Sequence, residues 1–199
     1  MAREHKNTLI RQKEILTAAR KLIVRHGSEH VTVRRIAKEI GVSEGAIYRH
    51  FKSKSDVLSF LIDDIEDTLL KDIEKNYDAG AGTMEVMEQI ARGHISAIEQ
   101  RRGVSHQVIA EIVSFGDKRL NKKVFDVINK YVERIKGILT EGMEAGVIRG
   151  DIDPVAAATL FFGMTQGLVN TWALSNYSFK LEERYAPVWE VFRQAVIKH

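Results

Sequence analysis

Residues 41–58 read GVSEGAIYRHFKSKSDVL, and Tyr48, Arg49, His50, Lys52 and Lys54 bring five side chains able to donate hydrogen bonds to phosphate within seven positions. Glu44, just upstream, can accept from a cytosine amino group or complement the positive end of a helix. Gly45 and Ala46 sit among these groups, although glycine costs a helix about 1 kcal/mol relative to alanine. The chemistry on offer is anion binding and base-edge contact, not bond making. There is no Cys for thiol catalysis or disulfides. Neither G-x-G-x-x-G, G-K-[ST] nor H-E-x-x-H occurs. His26 and His30 are four apart, but Gly27 should end the helix between them, so a metal pair is not expected. Asp151 and Asp153 read as turn and cap. No enzymatic activity, metal or cofactor is expected.

The element that carries these side chains is a short helix, and the residues before it show how it is held. In VTVRRIAKEI, Thr32 is a good N-cap, and Val31 with Ile36 forms a hydrophobic staple. Gly41 ends that helix. The grammar then repeats, with Ser43 as cap, Val42 and Ile47 as staple, and Ile47 with Phe51 turned inward. Two short capped helices joined by Gly-Val make a helix-turn-helix. On a wheel of about 100° per residue, Gly45 and Arg49 point away from Ile47. Tyr48 and Lys52 lie on one flank, Ala46 and His50 on the other. Such a helix fits its N-terminal end into the major groove, with Ala46 against a thymine methyl. Tyr48, His50, Lys52 and Lys54 then donate to phosphates, and the helix N-termini at Thr32 and Ser43 offer backbone N–H groups. Tyr48 and Phe51 have a plainer reading as packing of a small domain, which suits Phe51 better.

Charge follows the same division. Residues 1–54 hold 13 Lys and Arg against 5 Glu, and the remaining residues hold 17 against 22 acids. A basic first quarter facing a polyanion is the expectation. Around it, helical periodicity predicts an all-α chain: helices over about 8–25, 54–76, 83–100, 105–115, 118–145, 154–176 and a last one through Trp189 and Phe192. A three-helix DNA-binding domain over 1–54 is followed by a larger helical domain over 55–199. The segment 154–179 has no charged residue, a length that could cross a bilayer. Its Thr159, Thr165, Gln166, Asn170 and Thr171 favour a buried helix of a soluble protein instead. With no apolar leader at the N-terminus, a cytoplasmic protein with no membrane contact is expected.

The run TVRRIAKEIGVSEGAIYRHFKSKSDVL resembles the DNA-binding region of TetR-family transcriptional regulators. The Thr32 cap, Ala37, Gly41-Val42-Ser43, Ile47-Tyr48, Phe51 and Lys54 carry the likeness, which covers about 8–58. The rest resembles the family in being all-helical with two apolar final helices. The resemblance implies a homodimeric repressor on a near-palindromic operator, with Arg34 placed to read a base. It also implies that the C-terminal domain binds a small ligand and that the last two helices, with Trp189 and Phe192, form the dimer interface. The helix beginning near Lys54 would carry motion between the domains. Candidate ligand contacts are His94 in the apolar stripe of its helix, and Phe161, Phe162, Gln166 and Asn170 in the uncharged one; each also reads as ordinary core. Gly163 and Gly167 permit close helix approach, within the subunit or, preferably, across the dimer. A chromosome-organising or division-control protein on the same scaffold is the alternative function, and a helical protein whose helix-turn-helix is only structural is a second.

Overall fold

The structure, a computed structural model, describes residues 2–27, 30–77 and 80–198. Among the described residues it is all-α, with a single isolated bridge between Ile148 and Ile197. The helices are α1 (Ala2–His26), α2 (Val33–Ile40), α3 (Glu44–Tyr48), α4 (Lys54–Asn76), α5 (Thr83–Gln100), α6 (Val104–Phe115), α7 (Lys118–Glu144), α8 (Pro154–Leu174) and α9 (Leu181–Val196).

The punctuation read from the sequence is what bounds these helices. The Arg35 N–H donates to Thr32 Oγ1 (3.2 Å) and the Ala46 N–H to Ser43 Oγ (3.2 Å), so both caps of the helix-turn-helix are formed. Gly41 closes α2 at φ 70°, a left-handed conformation that favours glycine. Asp153 caps α8 through the Val155 N–H (2.8 Å), with Pro154 at its first turn.

The chain divides into two compact units, Met1–Ile65 with Val104–Val124, and Glu66–Gly103 with Phe125–His199. The boundary expected at 54/55 therefore falls elsewhere. The first unit keeps the start of α4 and takes in α6 and the start of α7, because α1 packs on α6 as well as on α2. Its core is built from Ile15, Ala19 and Ile23 of α1, Ile36 and Ala37 of α2, Ile47, and Leu58 and Leu61 of α4, all buried. In the second unit α9 packs against both α5 and α8. Tyr131, Phe161, Trp172, Tyr185, Trp189 and Phe192 are the large side chains of its core.

The uncharged α8 is not apolar on all sides. Ala157, Ala158, Phe161, Thr165, Val169 and Trp172 face the core. Ala156, Leu160, Gly163, Gly167, Asn170 and Leu174 form an exposed stripe on the other face, Leu174 being 86% exposed. No helix among the described residues is long and apolar enough to cross a membrane.

Candidate nucleic-acid interface

The small helix α3 is anchored by one residue and presents most of the others. Ile47 is fully buried, while Glu44, Gly45, Tyr48 and Arg49 are exposed and Ala46 is half-buried. A Cβ added at Gly45 would meet nothing closer than Ser43 Oγ at 3.9 Å. Nothing in the subunit requires a glycine there, so the small residue shapes the outer surface alone. Tyr48 leaves 49% of its surface exposed beside that gap, a large amphipathic side chain with no place in the core. Arg34 is exposed near the start of α2, and among the described residues neither it, Arg49 nor Lys52 makes a side-chain ion pair. The Thr32 and Ser43 side chains are occupied as caps, which leaves each exposed helix start as a backbone N–H site.

His50 and Lys52 lie just beyond α3, half-buried and exposed respectively, and the Lys52 N–H donates to Asp56 Oδ2 (2.8 Å). Asp56 in turn donates its N–H to Ser53 Oγ (3.2 Å), a variant of the capping box in which the acid reaches the Lys52 N–H rather than that of Ser53. Lys54 departs from expectation. Its ammonium pairs with Glu111 of α6 and lies 5.7 Å from the centroid of the Phe115 ring. The two charged side chains are only 26% and 10% exposed. Lys54 thus holds the N-terminus of α4 to α6 and does not stand open to phosphate. A second tie lies beside it: Ser55 Oγ donates to Asp117 Oδ2 (2.8 Å), and Arg119 Nη2 donates to Ser55 Oγ (3.2 Å). The Ser55 hydroxyl, with the backbone N–H groups of Leu120 and Arg119, holds the Asp117 carboxyl below the usual carboxylate range. Spacing carries no signal for these partners, which lie about sixty positions apart.

In the second unit the expected ligand residues separate into three places. His94, 6% exposed, has Nδ1 3.3 Å from the Tyr131 hydroxyl, and the Tyr131 ring in turn lies 5.7 Å from that of half-buried Phe162. Burial, and then the charge of Arg101, pushes the His94 pKa down to about 4. Burial likewise raises Tyr131 and Tyr185, and the Tyr185 hydroxyl has no hydrogen-bond partner among the described residues. Phe161, about 100° further round α8, is fully buried, 5.5 Å from Phe192 and 6.3 Å from Trp189 between ring centroids. Gln166 is half-buried, and Asn170 stands on the exposed stripe with Gly163 and Gly167.

The residues expected at the dimer interface also separate. Trp189 (4% exposed) and Phe192 (1%) are core residues of their own subunit, because α9 turns its aromatic face onto Phe161. Gly163 and Gly167 are exposed, with no atom within 4 Å of an added Cβ. Close approach within the subunit is therefore not their purpose. The rings of His26 and His30 have centroids 6.2 Å apart, and no group of three or more potential metal ligands occurs among the described residues.

A capped helix pair with an exposed, glycine-tipped second helix and cations on its rim defines a helix-turn-helix DNA-binding transcriptional regulator. Residues 15–59 match the family model of bacterial regulatory proteins of the tetR family, and residues 62–195 match that of the C-terminal region of YsiA-like protein. The chain belongs to the TetR family. It is 28% identical over 197 residues to the nucleoid occlusion factor SlmA of Idiomarina loihiensis, with 99% of each chain covered. It is 27% identical over 168 residues to the fatty acid metabolism regulator protein of Bacillus subtilis, covering 84% of this chain and 86% of the other. Among solved structures, the transcriptional regulator FadR of Bacillus subtilis in complex with stearoyl-CoA superposes with a TM-score of 0.81 at 26% identity, covering 90% of this chain and 96% of that one.

Proposed function

We propose that the chain is a homodimeric repressor that binds a near-palindromic operator and leaves it when a small, largely apolar ligand enters the second unit. The observation that carries the DNA half of this reading is the exposed tip of α3, where Gly45 leaves room for a base edge and Tyr48, Arg49, His50 and Lys52 surround it. Arg34 and Glu44 are the side chains placed to read bases beside it. The charge-free stripe on α8 supports pairing with a second copy, since its glycines let another helix approach and it carries no charge to desolvate. The His94–Tyr131–Phe162 group supports a ligand site with few polar anchors in an apolar surround. Likeness to a FadR that holds stearoyl-CoA makes long-chain acyl thioesters the first ligand class to test. The ligand acts by its differential affinity for the DNA-competent and DNA-incompetent states of the dimer.

A second reading, chromosome organisation, rests on the likeness to nucleoid occlusion factors along the full chain. Selection of bound duplexes from a random pool gives the operator, and mapping that operator on the host chromosome separates the two. A few sites at promoters, with binding released by stearoyl-CoA, are the expected result. Many sites spread around the chromosome, with binding indifferent to acyl thioesters, would replace the repressor with the second reading.

A further inference from the structure

A stretch far outside the helix-turn-helix shares its surface. Helix α7 opens with Lys118-Arg119-Leu120-Asn121-Lys122-Lys123, four cations in six residues and no acid in its first turn. Cations at a helix N-terminus oppose the helix dipole, at about 0.3–1 kcal/mol each. The stretch also breaks the charge pattern of the chain, because the sequence beyond residue 54 is otherwise acidic. Arg119 ties to Ser55 and Lys123 to Asp63, yet the cluster as a whole still sets four cations against the dipole, and a local rule broken in this way points to function.

The fold shows where these cations go. Leu120 is buried, and Asp117 caps α7 by accepting from the Arg119 N–H (2.9 Å) while bound to Ser55, so the start of α7 is fixed to the start of α4. His50, Lys52, Arg119 and Lys123 line one open groove of about 400 Å³. Its two carboxylates are engaged: Asp56 accepts from the Lys52 N–H, and Asp63 pairs with Lys123 (2.6 Å). Lys118 and Lys122, one helical turn apart, are exposed. All of these residues belong to the same compact unit as the helix-turn-helix.

Resting on the DNA-binding reading, we propose that the N-terminal turn of α7 is a second phosphate-binding segment, with Lys118, Arg119 and Lys122 continuing onto the DNA backbone the track begun by His50 and Lys52. The groove favours phosphate over an apolar partner because its rim is charged. It favours DNA over an acidic peptide because its other wall is the base of the recognition helix. Lys54, tied to Glu111, leaves a gap in the helix-turn-helix set of phosphate donors, and α7 supplies cations beside that gap.

The test is a salt titration of DNA affinity for the parent, for Lys118→Gln/Lys122→Gln and for Lys52→Gln, with the selected operator and with an unrelated duplex. Removing one cation from a phosphate lowers the slope of log K against log salt by about 0.9. The double variant is expected to drop by about two such steps per bound subunit, on both duplexes alike, with unchanged ranking of operator over unrelated DNA. A double variant with the parent's slope, while Lys52→Gln lowers it, overturns the α7 segment and leaves the DNA-binding reading standing. A parent with no salt-dependent DNA binding overturns both.

Discussion

His94 makes the second unit sensitive to acid in a way that can be worked out. Its side chain lies in an apolar core, 3.3 Å from the Tyr131 hydroxyl, and burial pushes its pKa from 6.5 to about 4. The unfolded chain takes up a proton near pH 6.5, while the folded chain resists until about pH 4. Protonation therefore favours the unfolded state throughout that window. The stability contributed by neutral His94 is complete above pH 6.5, falls at up to about 1.4 kcal/mol per pH unit below it, and is gone at about pH 4, a total of about 3 kcal/mol. The assay is urea unfolding followed by tryptophan fluorescence at steps from pH 7.5 to 4, for the parent and for His94→Gln. Both tryptophans, Trp172 and Trp189, lie in the second unit and report on it alone. Comparison with the variant subtracts the other titrating groups. The parent's advantage over His94→Gln should shrink by about 3 kcal/mol across the window. A difference that stays constant with pH would refute the reasoning, since it would mean that His94 protonates as readily folded as unfolded.

The same core closes tightly on one glycine: a Cβ at Gly142 would lie 2.6 Å from Ile148 Cγ1 and from Thr83 Cγ2. Gly142→Ala should cost about 1–3 kcal/mol in urea unfolding, whereas Gly137→Ala, with open space around it, should be neutral or stabilising. Glu111→Gln strands the Lys54 ammonium and should destabilise the first unit by about 1–3 kcal/mol by circular dichroism, while Lys54→Met/Glu111→Leu should recover most of that loss. Phe192→Ala should cost about 3–5 kcal/mol as a core truncation, whereas Leu160→Glu should leave folding intact and shift sedimentation from dimer to monomer.

The punctuation of this chain is written locally, and it was legible. Thr32, Gly41, Ser43, Asp153 and Pro154 act on groups within four residues of themselves, so their spacing bounds the helices they bound in the structure. The facing of α3 was equally readable, because Ile47 alone fixes the rotation of so short a helix. What spacing could not carry was the identity of partners distant in sequence. Lys54 has the type and position of a phosphate donor, yet Glu111 occupies it from 57 residues away. Trp189 and Phe192 share the apolar face of the last helix, which the family resemblance assigns to a dimer interface. A stripe shows only that a face is buried, and here α8 of the same subunit buries it. Asn170 and Gln166 share a helix with Phe161 and Phe162, but the helix turns each towards a different neighbourhood. The boundary between the units was read from charge, while the fold sets it by packing, which draws α6 and the start of α7 to α1 and α4.

The central claim is that the glycine-tipped face of α3 reads DNA. Its most direct test is affinity for the selected operator, measured beside an unrelated duplex, for the parent and for Gly45→Leu. Because an added Cβ at Gly45 meets only Ser43 Oγ, at an ordinary contact distance of 3.9 Å, Gly45→Leu should fold with the parent's circular dichroism and unfolding midpoint. It should lose at least about tenfold in operator affinity, about 1.4 kcal/mol, and most of the preference for operator over unrelated DNA. A Gly45→Leu protein that binds the operator as tightly and as selectively as the parent would show that the exposed face of α3 is not the surface that meets DNA.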